Sequence, residues 1–285
     1  MPIGHHSGVR QKTIFKIQET FETANDLVVV EEPLEIVLQF QRHGKGQHKT
    51  LSITMRTPGD DEHLVRGFLF TEGILKHPTQ DIERFEFRFS CTGESVEHQT
   101  LVVHLKPDIL PEIENLDRHF YTSSSCGVCG KTAIDLALDN CSFILRKGHP
   151  VLPKAVLFGL PKLLNEQQEL FQKTGGIHAC AIFNKEGELL LSAEDVGRHN
   201  ALDKLVGKAL EAGMVPLQDH VVLLSGRASF ELVQKAFMMG TPILAAVGAP
   251  SSLAVETAEL SGMTLAGFLK NDKCNIYTAP ERIQA

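Results

Sequence analysis

The chain has 285 residues, 42% of them hydrophobic and 22% charged, with a net charge of −7. That length suits one large domain or two ordinary ones with a sizeable core. The negative balance argues against a nucleic-acid partner, and no apolar run approaches the roughly 18 residues of a membrane span. The opening MPIGHHSGVRQKTIFKIQ lacks the unbroken apolar stretch of a signal peptide, so the expected location is the cytoplasm, where thiols stay reduced. Cysteines stand at 91, 126, 129, 141, 180 and 274; only one pair is close, and no disulfide scaffold is expected.

In chain order, the first third reads as strands and turns. Leu27–Val30 and Ile36–Phe40 are short apolar runs, TLSITMRT at 50–57 alternates in places, RFEFRF at 84–89 alternates cleanly, and LVVHL at 101–105 is a further strand; a period of two suits half-buried sheet. Between them DDEHLVRGFLFTEGIL at 60–75 spaces its apolar residues at 64, 65, 68 and 69, which predicts a helix ending near Gly73. Pro107 and Pro111 mark a boundary, so the organisation expected is a smaller β-rich α+β domain over 1–115 and a larger domain over 116–285. TSSSCGVCGKT at 122–132 is rich in Ser and Gly and reads as a loop, followed by a helix over Thr132–Leu138.

From about 150 helix and strand alternate. PKAVLFGLPKLLNEQQELFQK is helical and stopped by Gly175–Gly176; HACAIF and ELLLSA form a strand pair turning over Asn184–Gly187. Asp195 is placed to cap a helix whose stripe is Leu202, Leu205, Val206 and Ala209. HVVLLSG and PILAAVG are strands with helices near 229–239 and 252–261 behind them, and TLAGFL and CNIYT close the chain as strands. This alternation predicts an α/β fold whose C-terminal domain is a three-layer α/β/α stack.

Cys126 and Cys129 form a CxxC between glycines 127 and 130, with Lys131 just beyond. Sulfur chemistry needs a thiolate, and a nearby cation or helix start favours it; glycines leave the backbone open for a partner's approach. The same pair would also serve as half of a zinc site or as a structural pair. Zinc needs about four ligands, and His178 with Cys180, on one face of a strand, are the nearest supply; a packed or hydrogen-bonded histidine is the simpler account of His178. GVCGKT lacks the first glycine of a phosphate loop, Ser125 standing there, and no apolar strand leads into it. His178-Ala179-Cys180 puts Cys where zinc deaminases need a Glu proton shuttle, so deaminase chemistry is not expected.

EDVGRHNALDKLVG at 194–207 gathers Glu194, Asp195, Arg198, His199 and Asn200 at a strand-to-helix junction. Strand ends carry ligands in open α/β sheets, and a helix start suits phosphate. A well-capped, solvated first turn is the plainer account. SGRAS at 225–229 sets Ser225, Arg227 and Ser229 in a turn after a strand, where Arg can fork onto a phosphate or simply face water. GAPSS at 248–252 repeats that situation, and FLKNDK at 268–273 offers Phe268 for stacking and Lys270 for charge, or else a polar hairpin turn.

Taken together, SSSCGVCGK at 123–131, TGGIHACAI at 174–182, EDVGRHNALDKLVG, SGRAS and GAPSSLAVETAELSGMTLAGFLKNDKCNIYT at 248–278 resemble the FdhD family of formate dehydrogenase accessory sulfurtransferases. The match runs from roughly 120 to the end; RTPGDDEHLVRGFLFTEGI is the corresponding N-terminal segment. The resemblance implies a cytidine deaminase-like C-terminal fold without deaminase activity. It implies an enzyme that accepts persulfide sulfur from a cysteine desulfurase on Cys126, with Cys129 assisting or sharing the role. The sulfur passes to the molybdenum (or tungsten) bis(guanine dinucleotide) cofactor, a bound substrate, for a formate dehydrogenase client. No resident metal is implied, and a homodimer is. Phe268, Leu269, Lys270, Asn271, Asp272 and Lys273 match the family's cofactor-binding stretch, with Lys270 where Arg is common; Lys keeps the charge but loses the fork. Arg198, His199, Ser225 and Arg227 complete the expected cradle for the nucleotide phosphates. A carrier of the cofactor without sulfur chemistry, or a zinc hydrolase, are the alternatives.

Overall fold

The computed structural model describes residues 8–17, 20–90, 98–113 and 143–284. The CxxC segment with Cys126 and Cys129, the expected helix over 132–138 and the expected boundary at 115/116 lie outside them.

Strands β1 (Val9–Ile17) and β2 (Phe21–Val29) pair as an antiparallel hairpin. Nothing in the sequence signals β1, because burial does not pattern it: Phe15 and Ile17 are 72% and 70% exposed. Next come β3 (Glu32–Arg42) and β4 (Lys45–Arg56). They are joined through His43 and Gly44, both at positive φ (54° and 69°), the backbone a tight hairpin turn demands. With β5 (Ile82–Ser90) and β6 (His98–Leu105) they make a four-stranded sheet ordered β4-β3-β6-β5, in which β3 runs parallel to β6. Helices α1 (Asp61–Thr71) and α2 (Pro78–Asp81) lie between β4 and β5 in sequence. Leu64, Val65 and Leu69 of α1 close one core with Leu34, Ile36 and Leu38 of β3 and Leu101 and Val103 of β6.

The remainder runs β7 (Leu152–Pro153), α3 (Lys154–Gln167), α4 (Glu169–Thr174), β8 (His178–Asn184), β9 (Leu189–Asp195), α5 (Arg198–Glu211), β10 (His220–Leu224), α6 (Phe230–Met238), β11 (Ile243–Ala246), α7 (Ser252–Leu260), β12 (Thr264–Gly267), β13 (Asn275–Thr278) and β14 (Ile283–Gln284). The single helix expected over 153–173 is two, because the chain leaves helical geometry at Gln168 (ψ 75°), whose side chain is buried. Gly175 at φ 67° ends α4. Six strands form a mixed sheet ordered β13-β12-β11-β10-β8-β9. Alternate residues face opposite cores: Ile182, Val222, Leu224, Leu244 and Leu265 meet α5, α6 and α7. Ala181, Phe183, Val221, Leu223 and Ile243 meet Leu157, Leu160 and Leu164 of α3. The chain is thus a mixed α/β protein whose larger sheet is covered on both faces.

Helix α1 belongs to both halves: Phe70 packs into the core of the larger sheet. Its crossing with α5 is set by two glycines. A Cβ on Gly67 would stand 1.9 Å from the Asp203 carbonyl oxygen, and one on Gly207 1.9 Å from that of His63, so the two backbones touch. Two buried ion pairs flank the crossing. Lys235 Nζ lies 2.9 Å from Asp203 and 2.8 Å from Glu72, and Thr71 donates to Asp203. Lys204 Nζ lies 2.7 Å from Asp195, which also accepts the backbone N–H groups of Thr57 and Gly197 and, at 3.3 Å, the Asn200 side-chain amide. Asp195 is therefore not the expected cap of α5, whose N-cap is Gly197 without a side-chain cap bond; it instead ties the residue after β4 to the approach to that helix.

Gly207→Ala must push α1 off α5, and we expect it to cost about 3 kcal/mol, lowering Tm by about 6–12 °C in a thermal melt. Gly46→Ala, on an exposed strand with nothing within 4 Å, should change stability by less than about 0.5 kcal/mol. Asp195→Ala strands the buried Lys204 ammonium, and a urea titration should show a loss of about 3–5 kcal/mol.

Candidate anion site at the strand ends

Because β8 runs antiparallel to β10, the start of β8 and the end of β10 lie side by side, with Cys180 opposite Leu224; His178 in turn pairs with Asp195 at the end of β9. Parallel β10, β11 and β12 deliver the loops 225–229, 247–251 and 268–274 to that same end. The loops are joined backbone to backbone: Gly248 N–H donates to the Gly226 carbonyl (2.9 Å), Phe268 N–H to that of Gly248 (3.0 Å), and Ala228 N–H to that of Ala249 (3.2 Å).

Here His178, Arg198, Ser225, Gly226 and Arg227 border a narrow cleft of about 10 Å³ floored by Cys180, Leu224 and Leu232, so a ligand larger than a water would sit at its mouth. Arg198 is the first residue of α5, and its Nε is buried without a hydrogen-bond partner. Arg227 is exposed. Gly248 carries no Cβ because one would sit 2.9 Å from the Arg227 backbone nitrogen, so that loop packs directly behind the arginine. Among the described residues no carboxylate pairs with Arg198 or Arg227. Ser225 Oγ accepts the Ala179 N–H at 2.8 Å, leaving its hydroxyl proton to donate. Burial, with the charges of Arg198, His199 and Arg227, holds the His178 imidazole below its usual pKa. The cleft is a concentration of positive charge and N–H donors, suited to an anion. His178 and Ser225 also line a cavity of about 530 Å³ that runs past Asn165, Phe171, Gly175 and Val247, a volume within the range of small-molecule sites.

The expected residues divide. Arg198, Ser225 and Arg227 come together. His199 turns to a second cleft shared with Thr54, Phe68, Asn200 and Glu231. There its Nε2 stands 3.9 Å from Glu231, an ion-pair separation rather than a hydrogen bond, and its proximity lowers the Glu231 carboxyl below the usual carboxylate range. Phe268, Lys270, Asn271, Asp272 and Lys273 form an exposed turn next to the cleft, closed by Lys270 N–H to the Lys273 carbonyl at 2.8 Å. Phe268 adopts φ 53°, a conformation unusual for an aromatic residue and a recurrent mark of functional positions. Leu269 is the exception to the expected set: its side chain is in the core beneath the sheet, because alternation turns it inward, and it presents nothing to a ligand.

Other polar residues of 194–207 are structural. Glu194 accepts the Leu170 and Phe171 N–H groups at the start of α4, Asn200 donates to the Met55 carbonyl, and Asp203 holds Lys235. Cys180 is buried in the core and its thiol is pushed well up by burial. Among the described residues no group of three or more His, Cys, Asp or Glu could hold a metal, and no helix is long and apolar enough to cross a membrane. Ile113 and Phe143, which bracket the CxxC segment, sit apart from the cleft. Glu112 N–H bonds the Ile74 carbonyl after α1, and Phe143 packs by Gly240, just before β11, at the opposite end of the sheet.

Residues 29–284 match the model of the FdhD/NarQ family. The chain is 46% identical over 280 residues to the sulfur carrier protein FdhD of Streptomyces avermitilis, covering 96% of this chain and 95% of that protein. It is 44% identical over 267 residues to that of Mycobacterium tuberculosis, covering 92% and 93%. With that of the archaeon Saccharolobus solfataricus it shares 40% identity over 261 residues, covering 91% of each. A crystal structure from Desulfotalea psychrophila, assigned as a formate dehydrogenase accessory protein, superposes with a TM-score of 0.70 at 23% identity, covering 98% of this chain and 100% of that one; this last likeness is one of fold. The family match spans both sheets, the strand-end cleft and the segment between them, and the chain belongs to the FdhD/NarQ family.

Proposed function

We propose that this protein is a cytoplasmic sulfurtransferase that carries persulfide sulfur on its CxxC cysteines to a molybdenum bis(guanine dinucleotide) cofactor for use by formate dehydrogenase. The observation that carries the reading is the strand-end cleft, where Arg198 and Arg227 meet with no carboxylate partner among the described residues, beside a cavity of nucleotide size. Relatives named as sulfur carrier proteins support the sulfur half. The sheet would then be a deaminase-like scaffold that has lost the deaminase's Glu, Cys180 standing in its place and buried.

In this reading the Cys126 thiolate attacks the outer sulfur of a persulfide on a cysteine desulfurase, and the donor cysteine leaves as thiolate. Cys129 then attacks Cys126 Sγ. The outer sulfur departs as sulfide, the two cysteines join in a disulfide, and a thiol reductant reopens it. The sulfide replaces a terminal oxygen of the molybdenum, which leaves as water. Arg198, Arg227 and the Ser225 hydroxyl hold nucleotide phosphate of the cofactor, and Phe268 offers an exposed ring for stacking. Lys270 and Lys273 add charge at the rim, beside Asn271 and Asp272, and His199 reaches the cradle only through its field. Two copies of the chain would present two such cradles, one for each guanine nucleotide.

Intact-mass spectrometry after incubation with a cysteine desulfurase and cysteine should show a reducible gain of about 32 Da, one sulfur, mapping to Cys126 or Cys129. Cys126→Ala should abolish activation of a formate dehydrogenase client, whereas retained activation would leave a cofactor carrier without sulfur chemistry. Arg227→Gln, at an exposed position, should leave the melt unchanged. It should weaken guanosine diphosphate binding by about 10- to 100-fold, the loss of one charge-assisted contact.

A further inference from the structure

Neither the CxxC chemistry nor the expected cradle uses His178. It begins β8 and forms part of the wall between the cationic cleft and the 530 Å³ cavity. Its ring lies against the backbone of Gly226, where a Cβ would come within 3.3 Å of Nδ1, so the glycine makes room for the imidazole between the two openings. The groups that bear on it come from every neighbouring element: Arg198 and His199 from α5, Arg227 from the loop after β10, and Asp195 from the end of β9. Asp195 is engaged by Lys204, two backbone N–H groups and the Asn200 amide. Among the described residues its carboxylate is the attraction set against the two guanidinium groups and the His199 ring.

We propose that His178 is the third cationic ligand of the phosphate that Arg198 and Arg227 hold, and that it acquires its proton only when that phosphate arrives. In the free protein a third charge in the half-buried cleft would add to the repulsion between two arginines. A bound phosphate reverses the sign of the local field, and the imidazole then gains a charge-assisted hydrogen bond in place of a neutral one. Binding is therefore linked to proton uptake. The sign follows: the complex favours the protonated imidazole, so affinity is full at low pH and falls as pH rises through the pKa of the complex. Between the free and bound values the fall is about tenfold per pH unit. This inference rests on the anion-site reading above and adds the group that makes it proton-coupled.

The test is isothermal titration calorimetry of the full chain with guanosine diphosphate. It is run over about pH 6 to 8, where an imidazole titrates, in pairs of buffers that differ in ionisation enthalpy. Wild type and His178→Gln are compared in the same solutions, so that the nucleotide's own titration cancels. Wild type should take up more protons than the variant, by up to about one per nucleotide; its affinity advantage should be greatest at low pH and vanish at high pH. Equal proton counts in the two proteins would overturn the role of His178 and leave the anion site standing. No binding by wild type would overturn the anion site and the inference with it. Independently of any variant, nitrogen NMR of the wild-type imidazoles at neutral pH should show one ring passing from neutral to protonated as nucleotide is added, and no such ring would refute the proposal.

Discussion

The contact between the backbones of α1 and α5 is the constraint on which the rest depends. Gly67 and Gly207 bring the carbonyl oxygens of Asp203 and His63 to where side chains would otherwise stand. At that separation the crossing has no slack. The four-stranded sheet, held to α1 by Leu64, Val65 and Leu69, is thereby fixed relative to the six-stranded sheet, held to α5 by Leu202, Leu205 and Val206. The first turn of α5 is fixed too, and with it the position of Arg198.

Charge is arranged around this crossing in two tiers. Inside, Asp203 with Lys235 and Asp195 with Lys204 are buried and mutually neutralised, and their remaining donors and acceptors meet Thr71, Glu72, Thr57 and Gly197. Buried pairs of this kind add little net stability but make removal of either partner expensive, so they specify how the two halves meet. At the strand ends the balance is left open, with Arg198 and Arg227 facing a cleft. The short stretch from Glu194 to Gly207 feeds both tiers.

That division explains what the sequence could reveal. Buried strands such as HVVLL and the stripe of α5 announce themselves because burial imposes their periodicity, and Gly175 stops a helix wherever it sits. The polar cluster within 194–207 was legible as important, but not which residues face a ligand: Glu194, Asn200 and Asp203 bond to chain segments 23 to 146 residues away in sequence. Leu269 read as part of a binding stretch because its neighbours are polar, whereas one step along the backbone turns it into the core. His178 read in sequence as a packed or hydrogen-bonded histidine, because its site is made by an antiparallel strand pairing, bringing it beside Ser225 forty-seven positions on, as the facing pair Cys180 and Leu224 shows. Exposed β1 carries no burial pattern at all.

The chain of backbone hydrogen bonds from Gly226 to Gly248 to Phe268 carries a consequence for selectivity. Three loops that would ordinarily move independently are held as one rigid rim, with Pro250 packed where Gly267 leaves space for it. A ligand arriving there does not have to order the rim, so little conformational entropy is lost on binding. Discrimination among anions then falls to the spacing of fixed donors: a group that matches the interval between the two guanidinium groups is held, and one that does not cannot recruit the loops to follow it.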